Sequence, residues 1–508
     1  MLKQLLHTLR RPAAQVAGDE RENPADAAER HRRAGHLAQA VELCDRALAL
    51  RPDDVRAWQV RGTALEELGL LDEATQCLRQ ELRLRPDDVN AHSNVLHMLN
   101  RSGSLPPEAV SAEHIAWAAR HADRFTPARA EFGNTPEPER VLRIGYVSAD
   151  FRRHAAAYFI EPVLREHRRE RFEVYCYSNW NKPDAVSARL RAYGVHWRDI
   201  AGVDDDTAAQ MVRDDRIDIL VDLSGHTHGN RLLLFARKPA PLQAGYMGYL
   251  GTSGMAAMDL HISDAQIDPP GVAEPLYRER LLRLPHGVVC YQPPADAPAV
   301  NDLPALQRGH LTFGSFNNFL KITDATKRAW ARLLARMPDA RLRMVGVWAG
   351  EACDRMLEIF ESEGVYAERI EVAGRLPYAA YLEQYGQADI ALDPHPYNGG
   401  TTTLESLWMG LPVVTLAGTA GFPRCAASHL HNVGLDDLIA GSWDEYIDIA
   451  LRLASDLPRL ATLRSGMRAR MRDSALLDAA GFTAALEALY REAWREWCAG
   501  AARAERVC

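Results

Sequence analysis

An α-helical repeat array followed by two α/β domains, each with a parallel sheet, is the fold class that this 508-residue sequence predicts. Three observations predict it. Near the amino terminus RPDDVRAW begins at Arg51 and RPDDVNAH at Arg85, a self-similarity with a period of 34 residues. From Val141 short apolar runs alternate with helical stretches, as in a parallel sheet with crossover helices. The alternation then begins afresh near residue 310, which implies a second domain of the same kind.

Composition agrees with a soluble multidomain protein. The length suggests about three domains, and 47% apolar with 25% charged residues is ordinary for globular chains. A net charge of −8 argues against nucleic acid as a partner, which asks for a basic face. No apolar run reaches the ~18 residues of a membrane span. The eight cysteines are scattered without a CxxC pair, the usage of reduced cytosolic thiols, so a cytoplasmic location is expected and a zinc ribbon is not.

Residues 1–22 have no long apolar stretch, so they read as an amino-terminal tail and not as a secretory signal. Residues 23–104 form the repeats. Between the two RPDD motifs, Trp58, Gly62, Leu65, Gly69, Ala74, Leu78 and Pro86 stand where a tetratricopeptide repeat places its large, small and helix-ending residues. The preceding repeat carries Gly35, Ala40, Ala47 and Pro52, and a third begins at Val89 and fades by Gly103. Each helix pair buries its apolar face only against a neighbour, so the array stacks as a solenoid whose surface suits protein partners; the alternative for so short an array is that it merely buttresses the next domain. Residues 105–140 read as a helical connector. Residues 141–300 form the first α/β lobe, with strands expected at 142–148, 172–178, 217–224, 243–249 and 259–263. Residues 301–442 form the second, with strands at 310–316, 340–346, 369–374, 388–393 and 411–417. Residues 443–508 are terminal helices, ending in the aromatic-rich LEALYREAWREWC.

Ligands of such sheets bind beyond the carboxyl ends of the strands, so the loops there carry the candidates. The richest is 389–415, where Ala391, Leu392 and Asp393 end an apolar run and Gly399, Gly400, Thr401, Thr402 and Thr403 come before the helical LESLWMG. Thr402 and Glu405 are spaced as a capping box. A strand, a glycine turn and a helix start gather free backbone N–H groups and the positive end of the macrodipole, which suits a diphosphate. The alternative is that these threonines only cap the helix. Neither GxxxxGK[ST] nor GxGxxG is present, so an ATPase loop or a first-strand dinucleotide fingerprint is not expected. After the first strand of the second lobe come Asn317, Asn318 and Lys321, amides that can read a base and a cation that can neutralise phosphate. After the first strand of the first lobe, His154 is placed as a general base. His226 and His228 have no carboxylate or cysteine to complete a metal set, and no metal is expected. The loop 238–254, KPAPLQAGYMGYLGTSG, is small enough to approach a ligand closely.

Together RIGYVSADFRRH, DILVDLSGHT, KPAPLQAGYMGYLGTSG, FGSFNNFLKI and LDPHPYNGGTTTLESLWMGLPVVT resemble the protein O-GlcNAc transferase and SPINDLY family over nearly all the chain after residue 23. The resemblance implies a tetratricopeptide solenoid followed by a GT-B fold of two Rossmann-like domains. It implies transfer of a sugar from a nucleotide sugar to Ser or Thr of proteins, inverting and metal-independent, with no cofactor beyond the donor. His154 then matches the proposed base, Lys321 the lysine on the leaving diphosphate, and Asn318 the neighbouring amide. Thr401 and Thr402 match the phosphate-holding threonines, and Glu405 an acidic residue near the nucleoside. Tyr381 and Gly400 fall where animal members have histidines, and Arg280 where they have a lysine. UDP-GlcNAc is the first donor and GDP-fucose the second. Acceptor proteins are expected on the repeat surface. Two rival readings stay open: a scaffold that only senses nucleotide sugar, and a transferase acting on small molecules or glycans.

Overall fold

The structure is a computed structural model that describes residues 23–505 apart from Trp348. The expected tail, residues 1–22, lies outside the described residues. The chain divides into two compact units. One runs to Ser104 and takes in Ala297–Ala417 and Asp437–Met467; the other comprises Leu105–Asp296, Gly418–Asp436 and Arg468–Cys508.

The first unit opens with five antiparallel helices: α1 (Pro24–Arg33), α2 (Leu37–Leu50), α3 (Val55–Glu67), α4 (Leu71–Leu84) and α5 (Val89–Ser102). The repeated RPDD motif has a local cause. Asp54 and Asp88 are helix caps whose carboxylates accept from the N–H of Ala57 and Ala91. Small residues sit where helices cross, and a Cβ on Gly62 would stand 3.1 Å from Cys77 Cβ. Ala64, Leu65, Leu68, Leu71 and Ala74 form the buried seam.

The turns at one edge of this array are seated on the sheet domain of the same unit. Ala38 N–H donates to Glu351 at 2.6 Å, and Arg101 donates to the Leu320 carbonyl at 2.8 Å while also pairing with Glu66. Gly103 ends α5 in the left-handed region at φ 64°, and a Cβ there would meet Pro396 Cγ at 2.9 Å. Between these contacts Asp324 binds both Arg355 and the fully buried Lys327.

The second unit carries seven parallel strands: β1 (Leu142–Ser148), β2 (Phe172–Ser178), β3 (His196–Asp199), β4 (Ile219–Asp222), β5 (Leu242–Tyr246), β6 (Leu260–Asp264) and β7 (Arg280–Leu284). Their order is β3-β2-β1-β4-β5-β6-β7. The first unit carries β8 (Thr312–Ser315), β9 (Arg341–Val345), β10 (Ile370–Ala373), β11 (Ile390–Leu392), β12 (Val413–Leu416) and β13 (Ile439–Ala440), ordered β10-β9-β8-β11-β12-β13. Both sheets reverse their strand order beside their first strand, as in dinucleotide-binding folds.

The expected strands are all present: β1 and β2 with the expected bounds, β5 and β6 displaced by a residue at one end or more, and the others trimmed. The three that were not expected, β3, β7 and β13, are sheet edges. β3 and β7 are partly exposed and mix charges into HWRD and RLLRL, so they show no buried apolar run. The terminal helices do not form one group. Helix Trp443–Ser455 belongs to the first unit and helix Ala479–Glu505 to the second. There Glu487 binds His167 and Arg168, Tyr490 meets Tyr146 at 3.2 Å, and Trp494 donates to the Glu137 carbonyl at 3.0 Å. No helix among the described residues is long and apolar enough to cross a membrane.

Candidate active site

The loops after β8 and β11 meet at the reversal point of the first unit's sheet. Helix Thr401–Trp408 starts at Gly400, and no side chain caps it. The expected capping box is absent. Thr402 stands inside the first turn, and its hydroxyl donates at 2.7 Å to Asn317 in the loop after β8. Glu405 is turned the other way. The N–H groups of the first turn have no carbonyl partner within the helix.

Gly399 holds this turn. A Cβ on it would lie 2.5 Å from Thr402 Oγ1, 2.6 Å from Thr403 Oγ1 and 2.9 Å from Asp393 Oδ1. Its own N–H donates to Asp393 Oδ1 at 2.7 Å, and Thr415 on β12 donates to the other carboxylate oxygen at 2.7 Å. Asp393 is fully buried, and loss of water pushes its pKa up to about 7 against these donors and the Lys321 charge. Lys321 reaches the same turn. Its Nζ donates to the Asn398 carbonyl at 3.3 Å and lies 4.3 Å from the centre of the Tyr397 ring. Asn318 accepts from Leu320 N–H and so starts the short 3₁₀ turn that carries Lys321.

Glu405 is ringed by phenols. Tyr378 donates at 2.8 Å, Tyr385 at 3.1 Å and Tyr381 at 3.2 Å. Burial raises its pKa, and these three donors oppose the rise. Tyr378 and Tyr381 also line a cavity of about 780 Å³ beside Asn317 and Asn318. The carboxyl ends of β8, β9 and β10 form one wall of it. The α1–α2 turn of the first repeat forms the other, through Arg32, Gly35 and Leu37.

In the second unit His154 lies in the loop after β1, with 42% of its side chain exposed. Its Nδ1 accepts from Ala156 N–H at 3.3 Å, and the Asp150 carboxylate stands 3.5 Å away. Burial lowers its pKa, Asp150 opposing and Arg152 assisting, so the ring is neutral at pH 7, the form a base requires. His226 is a core residue: its Nε2 meets the Ser253 carbonyl at 3.0 Å and its ring packs edge-on against Trp117. Arg280 opens β7 at the amino end of its sheet and pairs with Glu496.

The model for glycosyl transferase family 41 matches residues 81–291 and 302–486. The chain belongs to this family. A tetratricopeptide repeat model matches residues 31–96 of this family-41 chain. A protein of Solanum lycopersicum described as "probable UDP-N-acetylglucosamine–peptide N-acetylglucosaminyltransferase SPINDLY" is 39% identical over 423 residues, 81% of this chain and 45% of that protein. The Arabidopsis thaliana protein of the same description is 38% identical over 420 residues, 81% of this chain and 46% of its own. The chain thus spans less than half the length of these curated relatives. The solved structure of an O-GlcNAc transferase mutant from Thermobaculum terrenum superposes with a TM-score of 0.87 at 38% identity, covering 98% of each chain.

The loops thus bring together Asn317, Lys321, Thr402 and the Gly399–Gly400 turn, and Glu405 with Tyr381. Tyr378, Tyr385 and Asp393 were not among the site residues read from the sequence. The two tyrosines had a signal, since 378, 381 and 385 share one helix face. Asp393 had none beyond its place at a strand end.

Proposed function

We propose that this family-41 chain is an inverting protein O-glycosyltransferase, with UDP-GlcNAc as donor and Ser or Thr hydroxyls of proteins as acceptors. The observation that carries the reading is the uncapped start of helix Thr401–Trp408, tied by Thr402 to Asn317 and approached by Lys321. The names of the relatives support GlcNAc over fucose. In this reading the diphosphate lies on the helix start and the nucleoside in the cavity beside Tyr378 and Tyr381. The acceptor oxygen forms a bond to the anomeric carbon while the bond to the diphosphate oxygen breaks. The acceptor proton passes to His154, directly or through water. Lys321 and the first-turn N–H groups balance the charge that appears on the leaving group. This chemistry requires no metal or other cofactor. Acceptor polypeptides are held by the repeats.

The test is sugar transfer from UDP-GlcNAc and from GDP-fucose to lysate proteins, read by mass spectrometry. HexNAc on Ser or Thr from UDP-GlcNAc is expected. Deoxyhexose from GDP-fucose alone would move the donor to the second choice, and transfer from neither would overturn the reading.

A further inference from the structure

Asp393 occupies an unusual position for an acidic residue. It is wholly buried directly behind a turn that the reading above assigns to an anion. Its Oδ1 lies 2.9 Å, and Thr402 Oγ1 2.5 Å, from one and the same point, the place where a Cβ of Gly399 would stand. The carboxylate makes two hydrogen bonds, to Gly399 N–H and to the Thr415 hydroxyl, and each fixes a different neighbour of the turn. Tyr446 of helix Trp443–Ser455 adds a third tie by donating to the Asp393 carbonyl at 3.1 Å. Lys321 approaches from the loop after β8, and its charge lowers the pKa of Asp393. His395, two residues on, is kept neutral by burial.

We propose that Asp393 is a positioning residue for the diphosphate turn and that it takes up one proton from solvent when the donor binds, releasing it when the nucleoside diphosphate leaves. The inference rests on the assignment of the diphosphate to the Thr401–Thr402 helix start. The arriving diphosphate draws on the Lys321 charge that lowers the Asp393 pKa and brings a like charge close, and both effects favour the neutral acid. The geometry accommodates the change without movement. The acid still accepts from Gly399 N–H at Oδ1. Its new O–H donates from Oδ2 to Thr415 Oγ1, a hydroxyl that accepts as readily as it donates. Because the free carboxyl titrates near neutrality, the uptake falls in the working pH range.

Calorimetry with UDP-GlcNAc and GDP-fucose on the full chain tests this. A nucleotide-sugar diphosphate lacks the terminal monoester that titrates near pH 6, so any proton exchanged belongs to the protein. Two buffers of different ionisation enthalpy at pH 7.5 should report net proton uptake. If binding raises the proton affinity of Asp393 about tenfold, donor affinity should be about fivefold weaker at pH 8 than at pH 6. Asp393→Asn copies the neutral acid, with its carbonyl oxygen toward Gly399 and its amide toward Thr415. Its affinity should be flat with pH and exceed that of the wild type at pH 8. Wild-type binding with no proton uptake, or a full pH dependence retained in Asp393→Asn, would overturn the inference. The wild-type measurement stands by itself if the variant does not fold. Thr402→Ala separates the two layers. If it weakens binding while no proton is exchanged, only the role of Asp393 fails. If it leaves affinity untouched, or neither sugar binds, the diphosphate assignment fails and the proton linkage with it.

Discussion

The loops after β8 and after β1 follow the first strands of two sheets with the same strand order, yet they are built in opposite ways. The loop after β8 is knitted to its neighbours: Asn317 to Thr402, Asn318 to its own 3₁₀ turn, Lys321 to Asn398, and Leu320 to Arg101 of the repeats. The loop after β1 leaves His154 half in water, with one long hydrogen bond to Ala156 and one carboxylate nearby. Groups that must meet developing charge act best when they need not reorganise, whereas a proton acceptor needs room for an incoming hydroxyl. On the proposed function, the difference separates a preformed donor site from a base that acts only once an acceptor arrives.

The largest expected effect breaks the open half. His154→Ala should lower turnover by about 10²–10⁴-fold, the usual share of a general base, and leave nucleotide affinity as it was. Single-turnover transfer beside calorimetry with UDP checks both parts. Lost affinity with unchanged turnover at saturation would place His154 on the nucleotide instead.

Breaking the knitted half comes next. Lys321→Ala should cost roughly 10²–10³ in transfer rate, the scale for removing one group that stabilises a leaving charge. Near-normal transfer at saturating donor would put the diphosphate elsewhere.

A smaller effect concerns what holds that half in place. Arg355 is buried, and its guanidinium binds Asp324 beneath the repeat turn at Leu68. Arg355→Ala should destabilise the first unit by about 3 kcal/mol. This is the low end for breaking a buried pair, because Asp324 keeps Lys327 and some water. The same cluster sets an acid limit. Asp324 has its pKa held down at about 2 by its Arg355 and Lys327 partners, although burial alone would raise it. A carboxylate with a depressed folded pKa contributes stability above its unfolded value near 4, and that stability is lost as pH falls toward 2. Urea unfolding between pH 6 and pH 2 should show this loss, reduced in Arg355→Ala.

How far the sequence foretold these regions depends on what carried each signal. Buried strands such as β1, β2 and β4 announced themselves as apolar runs, and the repeats by their period, because both are local patterns. The edge strands β3 and β7 did not, since half-exposed strands carry charges. Lys321 and the threonine turn were legible as residue types in the right loops. The partner of Thr402 was not, because Asn317 lies 85 residues away and wins the hydroxyl from the cap that local spacing suggested. That the repeats buttress the sheet domain was open as an alternative, but the groups that seat them were not legible, since Ala38 meets Glu351 and Gly103 meets Pro396 far along the chain. One consequence is that removing the repeats would strip a wall from the cavity proposed for the nucleoside and the Arg101 tie from the Lys321 turn, so donor binding should fall together with protein modification.

The smallest effect sharpens the donor half itself. The Tyr381 hydroxyl is shared among Glu405 at 3.2 Å, Tyr385 at 2.6 Å and the Phe316 carbonyl at 3.3 Å. All three are protein groups, and the ring lies at 22° to that of Tyr378, which also lines the cavity. Tyr381→Phe keeps the ring and leaves Glu405 with Tyr378 and Tyr385. Net loss of one such hydrogen bond is worth about 1 kcal/mol. KM for the donor should therefore rise only severalfold, and by the same factor for UDP-GlcNAc and GDP-fucose. A ratio between the two that moves tenfold, about 1.4 kcal/mol, would show that the hydroxyl leaves Glu405 and reads the base edge. Base choice would then be set by a tyrosine at this position rather than by the shape of the cavity around it.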